Sequence, residues 1–289
     1  MEWIELTVEA SAEAAEAVVN ILLEEGAGGV LEREPGALSA YFPADGDPSA
    51  RVERVRRAVA NLRRYGLEPG AVRVAARSVK EEDWANAWKE YFHVQRIGRA
   101  IVVRPTWREY APRPGECVID LDPGMAFGTG AHPTTALCLE ALEEEVLPGD
   151  VVFDIGTGSG ILAIAAAKLG ARAVVACDVD PVAVRVAGEN VRRNEVAGQV
   201  TLVQGSWREL RPHGKARVAV ANIVASVICA MAPEVTGLLE PGGRFVASGI
   251  VRECEGKVRQ ALAAAGMSVE QSAVRGEWVS VRATWPGRG

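Results

Sequence analysis

The chain has 289 residues and a formal net charge of −6. This length exceeds one average domain, so two domains are expected. Hydrophobic residues make up 48% and charged residues 24%, which is the balance of a globular protein with a substantial core. The negative charge argues against a strongly cationic nucleic-acid binder, and no direct DNA binding is expected.

The sequence indicates neither a secretory signal nor a membrane segment. Its first 32 residues contain no Lys or Arg, although a signal peptide needs a basic start. The longest apolar stretch, residues 218–233, is shorter than the roughly 20 residues of a membrane helix. Five cysteines form no C-x-x-C pair, and three histidines lie far apart. We therefore expect free thiols, no metal site and a cytoplasmic protein.

The first 79 residues are predicted to form a ferredoxin-like α+β domain. Their apolar periodicity alternates between strand and helix in the order β-α-β-β-α-β. The predicted strands are 3–8, 29–34, 37–42 and 71–77, and the predicted helices are 12–25 and 50–65.

The second of these helices carries a row of arginines, which are Arg51, Arg54, Arg56, Arg57, Arg63 and Arg64. They permit two interpretations, a contact with RNA or an acidic partner, or a solvated helix face. Segment 1–79 holds 13 acidic and 9 basic residues, which favours the solvated face.

Residues 80–95 are predicted to be a helical linker. Within it, Trp84, Trp88, Tyr91 and Phe92 fall on one helical face. The linker either packs these aromatic rings on a domain or acts as an arm that orients the first domain over an active site.

Residues 96–289 are predicted to form a second domain with a doubly wound, mostly parallel sheet. Strands and helices alternate after about residue 133, which places helices on both faces of the sheet. The predicted strands are 97–103, 116–121, 150–155, 172–178, 199–204, 217–223 and 243–249, followed by an antiparallel hairpin at 267–274 and 277–284. The predicted helices begin near Pro133 and then cover 160–169, 181–194, 226–239 and 252–265.

A glycine-rich turn, D-I-G-T-G-S-G at residues 154–160, joins a predicted strand to a helix. Such a turn lets a ligand approach the backbone at the helix N-terminus. Asp178 ends the next strand, 22 positions after Gly156, where an acidic residue can accept both ribose hydroxyls of a nucleotide. The alternatives are a plain tight turn and a helix-capping role for Asp178, although Asp180 already supplies the cap signature.

The spacing of the glycines favours S-adenosyl-L-methionine over a dinucleotide. The dinucleotide fingerprint G-x-G-x-x-G needs glycine at position 161, where this chain has Ile161. Asp154 is expected to place negative charge near the loop, which repels phosphates and attracts a sulfonium and an amino group. Asn222 ends the fourth strand of the sheet and is expected to face the same site, or else to cap the following helix.

The chain resembles the bacterial ribosomal protein L11 methyltransferase family over essentially its whole length. The resemblance rests on the domain order, the aromatic linker, the glycine turn, the segment L-D-P-G-M-A-F-G-T-G-A-H-P-T-T at 121–135, and N-I-V-A at 222–225. The family usually has leucine where Met125 and Val224 stand, and both changes are mild.

The resemblance implies a class I, Rossmann-like methyltransferase with S-adenosyl-L-methionine as its cofactor. Thr135, Gly156, Asp178 and Asn222 would contact the cofactor, and Gly158 would line the turn. Asn222 would also be catalytic, because it can accept hydrogens of the amine and aim its lone pair. No residue stands out as a general base. His132 is a candidate by type, but a role in structuring the loop is an equal alternative.

The same resemblance implies that the substrate is ribosomal protein L11 of the large subunit. The N-terminal domain would bind it, and lysine side chains and the N-terminal α-amine would receive up to three methyl groups. We expect a monomer. Two other functions stay open at this point: an RNA or small-molecule N-methyltransferase on the same fold, and a non-catalytic ribosome-associated binding factor.

Overall fold

The computed structural model describes residues 2–11, 14–27, 30–34, 37–43, 47–65, 68–80, 93–122 and 132–287. The chain divides into two compact units, Met1–Phe92 and His93–Gly289. Residues 81–92 of the proposed helical linker lie outside the described residues, so the linker helix stays a prediction. No helix in the described ranges is both long and apolar enough to cross a bilayer.

The described part of the first unit is a four-stranded antiparallel sheet with two helices. Its strand order, β2-β3-β1-β4, is that of the predicted ferredoxin-like domain. The elements are β1 (Glu2–Glu9), α1 (Ala15–Glu24), β2 (Val30–Glu34), β3 (Ala37–Pro43), α2 (Pro48–Asn61), a 3-10 turn (Leu62–Tyr65) and β4 (Arg73–Lys80). Alternate residues of the strands pack against both helices around Leu6, Leu22 and Phe42, which are fully buried.

Helix α2 begins where a capping side chain and a proline favour it. The Asp47 carboxylate accepts a hydrogen bond from the Ser49 N–H at 2.9 Å, and Pro48 takes the first helical position. Two of its arginines pair within the unit, Arg54 with Glu25 at 3.0 Å and Arg56 with Glu53, and Arg63 of the following 3-10 turn pairs with Glu68 at 3.4 Å. These exposed ion pairs contribute little stability, and they support the interpretation of a solvated helix face.

The second unit contains a seven-stranded sheet in the order β10-β9-β8-β11-β12-β14-β13. The described elements of this unit are β5 (Gln95–Ile97), β6 (Ile101–Arg104), β7 (Cys117–Asp120), α3 (Pro133–Glu145), β8 (Val151–Ile155), α4 (Ile161–Lys168), β9 (Ala173–Asp178), α5 (Pro181–Arg193), β10 (Val200–Gln204), β11 (Ala216–Asn222), α6 (Ala225–Val235), β12 (Leu239–Val251), α7 (Glu255–Ala264), β13 (Ser268–Arg275) and β14 (Trp278–Trp285). Strand β14 runs antiparallel to both of its neighbours, and the other pairs are parallel. The predicted doubly wound sheet with a terminal hairpin is confirmed.

Helices cover both faces of this sheet, because its strands are apolar on both sides. Helices α3, α4 and α5 pack on one face, where Val152, Ile164 and Val220 are buried. Helices α6 and α7 pack on the other face around Phe153 and Phe245. The two-sided burial explains why the strands read as continuous apolar runs rather than as alternating ones.

The prediction of one strand over 97–103 is wrong. The segment is a hairpin, in which β5 and β6 pair antiparallel around residues 98–100, and β6 then pairs with β7 in a small three-stranded sheet. Gly98 has φ +65°, and the Glu143 carboxylate accepts hydrogen bonds from the Arg99 N–H, at 2.7 Å, and the Ala100 N–H. A carboxylate from α3 therefore stabilises a turn that local periodicity does not reveal.

One helix boundary and one short helix also differ from the prediction. The helix expected at 226–239 ends at Val235, and a 3-10 turn at Thr236–Leu238 leads into β12 at Leu239. Gly237 disfavours a helix at this point. The predicted helix was too long because the apolar residues at 238 and 239 continue the helical spacing of apolar residues. A 3-10 helix at Trp207–His213, capped by Ser206, was not predicted.

Candidate active site

The candidate site lies where the strand order of the large sheet reverses. Strands β8 and β11 are parallel neighbours, although two other strands separate them in sequence. Ligands of doubly wound sheets bind at the carboxyl ends of the strands at such a point. A cavity of about 410 Å³ opens there. All five residues predicted to bind the cofactor line it, and these are Thr135, Gly156, Gly158, Asp178 and Asn222.

The turn after β8 needs glycine for two separate reasons. Gly156 has φ +75°, and a Cβ there would lie 2.5 Å from the Ile223 Cγ2. Gly160 has φ +84°, and its Cβ would lie 3.2 Å from the Ala187 Cα of α5. A larger residue would therefore be strained and would also push on the far wall of the cavity or on the adjacent helix.

Asp154 does not present its carboxylate to the cavity, which corrects the sequence-based expectation. The residue is fully buried, and it is not among the residues that line the cavity. Its Oδ2 accepts hydrogen bonds from the Thr157 hydroxyl at 2.6 Å and from the Ala163 N–H at 3.1 Å. Burial raises the pKa of Asp154 to about 7, so its charge is partly neutralised at neutral pH. Its role is to fix the turn against the first turn of α4.

Asp178 lies at the end of β9 with its carboxylate on the cavity wall. Its Oδ2 accepts from the Gly158 N–H at 2.9 Å, and its Oδ1 accepts from the Asp180 N–H at 3.0 Å. Asp180, not Asp178, caps α5 through the Val182 N–H at 2.8 Å. A carboxylate has about four acceptor positions, so Asp178 retains capacity for two neighbouring hydroxyls such as those of a ribose.

Sequence reasoning missed the wall that follows β10. Gly205, Ser206 and Trp207 line the cavity, and the Arg208 guanidinium lies 4.9 Å from the centre of the Trp207 ring. The signal was present, because these residues follow the carboxyl end of a parallel strand as Gly156 and Asp178 do. The rule that placed those two residues therefore also applies here.

Asn222 ends β11 between the first cavity and a second one. Its Nδ2 donates to the Thr135 hydroxyl at 3.3 Å. Its Oδ1 is buried, and no hydrogen-bond donor of the described residues reaches it. Val224 stands at the N-cap of α6 without a side-chain hydrogen bond, so the alternative in which Asn222 caps that helix is wrong.

The second cavity measures about 320 Å³ and is also formed by the second unit alone. Its lining residues are His132, Thr134, Asn222, Ile223, Val224, Gly249 and Trp278. The His132 and Trp278 rings meet edge to face, with centroids 5.0 Å apart. His132 also caps α3, because its Nδ1 accepts from the Thr134 N–H at 3.4 Å and lies 2.7 Å from the Thr134 hydroxyl. His132 therefore caps a helix, and the role in structuring the loop stays a prediction. Residues 123–131 of the same predicted loop lie outside the described residues.

Comparison with known proteins decides the family. Residues 2–285 match the model of the ribosomal protein L11 methyltransferase family (PrmA). The chain belongs to this family. The ribosomal protein L11 methyltransferase of Pelotomaculum thermopropionicum is 46% identical, over 98% of this chain and 99% of its own. That of Geobacillus kaustophilus is 41% identical, over 99% and 100%.

A solved structure agrees with this membership. The crystal structure of ribosomal protein L11 methylase from Lactobacillus delbrueckii subsp. bulgaricus is 33% identical. The match covers 68% of this chain and 100% of that one, with a TM-score of 0.63. The chain is thus an S-adenosyl-L-methionine-dependent methyltransferase with a Rossmann-like catalytic fold. In the described ranges, no group of three or more His, Cys, Asp or Glu side chains is arranged to hold a metal ion.

Proposed function

We propose that this methyltransferase transfers methyl groups to amine nitrogens of ribosomal protein L11, namely lysine side chains and the N-terminal α-amine. The observation that carries the proposal is the Asn222 Oδ1, a buried acceptor without a donor, on the wall that the two cavities share. An unpaired buried acceptor is costly, and an amine N–H is a donor that would satisfy it. The relatives from Pelotomaculum and Geobacillus, by name, act on the same ribosomal protein.

The first cavity fits the cofactor residue by residue. The backbone at Gly156 and Gly158 permits close approach, Asp178 has acceptor capacity for the ribose hydroxyls, and Thr135 and Asn222 close the opposite side. When bound, S-adenosyl-L-methionine supplies a methyl group from its sulfonium, and the electron pair of the broken carbon–sulfur bond stays on sulfur. The Asp178 carboxylate and the glycine turn are proposed to hold the nucleoside half of the cofactor. The chain must then also prepare the acceptor nitrogen for the transfer.

Preparing the acceptor means removing a proton from an ammonium group. A lysine has a reference pKa of about 10.4, so exposing its lone pair at pH 7 costs about 4.6 kcal/mol. The apolar walls at Ile223, Val224 and Trp278 disfavour the charged form and lower that cost. Asn222 Oδ1 accepts a remaining N–H and so directs the lone pair, which becomes the new nitrogen–carbon bond. The proton lost from nitrogen passes to solvent.

The first unit is proposed to recognise the substrate protein. Segment 1–79 is net acidic. Arg54, Arg56 and Arg63 are paired with carboxylates of their own unit. This charge suits a basic protein better than a nucleic acid. A cytoplasmic location and a monomeric state stay predictions.

The direct test is incubation of the protein with methyl-labelled cofactor and separately purified ribosomal proteins and rRNA. Label should enter L11 alone, and fragmentation mass spectrometry should place it on amines. Asn222→Ala should lower the single-turnover rate with saturating cofactor more than it weakens cofactor binding, because a group that acts mainly in the transition state affects kcat. Label on rRNA, or on another ribosomal protein in preference to L11, would refute the proposal. Equal rates for Asn222→Ala and the parent would remove Asn222 from the acceptor site.

A further inference from the structure

Two aromatic residues, His132 and Trp278, line the second cavity together with Asn222. Trp278 is the first residue of β14, and its backbone pairs with Val251 of β12 and Arg275 of β13. The insertion of β14 between these strands carries the indole to the start of α3, where it meets the His132 ring in a T-shaped contact. Among the described lining residues, none carries a carboxylate. Among the described lining residues, a cation in this cavity therefore finds the rings of His132 and Trp278 and the side-chain amide of Asn222, while the Glu277 carboxylate acts on His132 from outside the lining.

Repeated methylation changes what the nitrogen offers to this cavity. Before each transfer the ammonium group loses one N–H proton to solvent, and the lone pair exposed in this way forms the bond to the methyl carbon. Asn222 Oδ1 consequently has fewer N–H donors after each transfer and none once three methyl groups are present. An aromatic face behaves in the opposite way, because methylated ammonium groups are well held by the electron-rich face of tryptophan. The cavity volume of about 320 Å³ is many times the roughly 30 Å³ of a water molecule, so added methyl groups have room.

We infer that Trp278 is a specificity-determining residue that holds the methylated ammonium of the acceptor, with His132 fixing the orientation of the indole, so that one nitrogen is methylated more than once. The inference rests on the proposed amine acceptor. Burial lowers the pKa of His132, which keeps its imidazole neutral near pH 7. A neutral ring beside the indole adds no repulsion against a cationic guest.

The first experiment measures binding without turnover. Full-length protein saturated with S-adenosylhomocysteine is titrated with choline and with its uncharged carbon isostere, 3,3-dimethylbutan-1-ol, and saturation-transfer NMR reports both affinities. The parent should prefer the cation by roughly tenfold, Trp278→Phe should keep much of that preference, and Trp278→Leu should abolish it. Trp285→Leu is the matched control, because Trp285 is at the other end of β14 and lines neither cavity. Equal binding of choline and its isostere by the parent would overturn the inference.

The second experiment follows the products on L11 by intact-mass spectrometry. Compared at equal extents of the first transfer, Trp278→Leu should show a ratio of trimethylated to monomethylated amine that is roughly tenfold below that of the parent. Trp278→Phe should keep most of the parent's ratio of trimethylated to monomethylated amine. Thermal unfolding checks that each variant is folded. An unchanged ratio in folded Trp278→Leu would overturn the inference while leaving the proposed function intact. Absence of any transfer to L11 by the parent would refute the proposed function, and the choline titration would still decide the role of Trp278.

Discussion

The side-chain amide of Asn222 donates to the hydroxyl of Thr135, with 3.3 Å between Nδ2 and Oγ1, although 87 positions separate the two residues in the chain. The bond joins the end of β11 to the first turn of α3. The Asn222 carbonyl oxygen is left without a donor among the described residues. Thr135 therefore determines which way the amide of Asn222 faces.

Thr135→Val should misorient this amide while preserving the size of the side chain. A neutral hydrogen bond contributes about 0.5–1.5 kcal/mol, so the single-turnover rate at saturating cofactor should fall about two- to tenfold. Thr135→Ser, which retains the hydroxyl, should stay near the parent rate. If Thr135→Val turned over as fast as Thr135→Ser, the hydroxyl would have no role in positioning Asn222.

Asp178→Ala should weaken cofactor binding by about tenfold or more, because hydrogen bonds to a charged acceptor contribute about 1.5–3 kcal/mol. Asp180→Ala is the matched control, since it removes a carboxylate two residues away that caps α5. It should cost about 1 kcal/mol of stability and leave affinity nearly unchanged. Calorimetric titration with the cofactor separates the two variants. Equal affinities for both would end the assignment of Asp178 to the ribose.

Gly156→Ala should impair both folding and cofactor binding, whereas Gly149→Ala should affect folding alone. Both glycines have positive φ, at +75° and +94°, so each substitution costs about 1–2 kcal/mol in backbone strain. Only the new Cβ at 156 also meets the Ile223 Cγ2 on the cavity wall, since nothing lies within 4 Å at 149. Chemical denaturation and cofactor titration test this contrast. Parent-like affinity in Gly156→Ala would show that the cavity tolerates the added methyl group.

Asp154 should make the protein less stable as pH rises from about 4 to 7. Burial raises the pKa of Asp154 from its ordinary 3.8 to about 7, so the folded state keeps a proton that the unfolded chain has already released. The free energy of unfolding therefore falls across this interval and levels off above it. Between pH 5 and 8 the parent should lose stability relative to Asp154→Asn on the order of 3 kcal/mol, measured by urea unfolding. Parallel profiles for the two proteins would contradict the raised pKa.

Residues 93–289 alone should bind the cofactor and fail to methylate L11. Every residue that lines the two cavities belongs to this unit, and both of its buried clusters consist of its own side chains. Cofactor affinity within about threefold of the full chain, together with loss of transfer to L11, is expected if the first unit supplies substrate recognition. Full activity of residues 93–289 would assign recognition to the second unit.

Local sequence was sufficient for most of the fold and for bringing the five predicted site residues to one cavity. The glycine turn and Asp178 each follow a strand, and the rule about strand ends brings them together without knowledge of the coordinates. The hairpin at Gly98 was missed because Glu143, which accepts its backbone N–H groups, lies on a distant helix. The charge state of Asp154 was missed for a related reason, since burial depends on all the elements packed around it.

The order of strands in the sheet explains why the second cavity could not be predicted from the sequence. His132 and Trp278 are neighbours only because β14 inserts between β12 and β13, and the order of strands in a sheet leaves no trace in local periodicity. The residues of the hairpin were correctly assigned to strands. Their sequence alone did not indicate that Trp278, the first residue of β14, reaches the second cavity.

Among the described residues, the two cavities have Asn222, Ile223 and Val224 in common and no others. The remaining wall of the first cavity comes mainly from turns after β8, β9 and β10, whereas the second cavity also takes Trp278 from the hairpin that ends the sheet. Within the hairpin, only Trp278 is among the described residues that line the second cavity, whereas Val279, Val281 and Ala283 belong to the buried core. If the second cavity takes the acceptor as proposed, substitution of Trp278 would alter which nucleophile is accepted and leave the first cavity as it stands, which makes the start of β14 the place to begin when redirecting the enzyme to a new substrate.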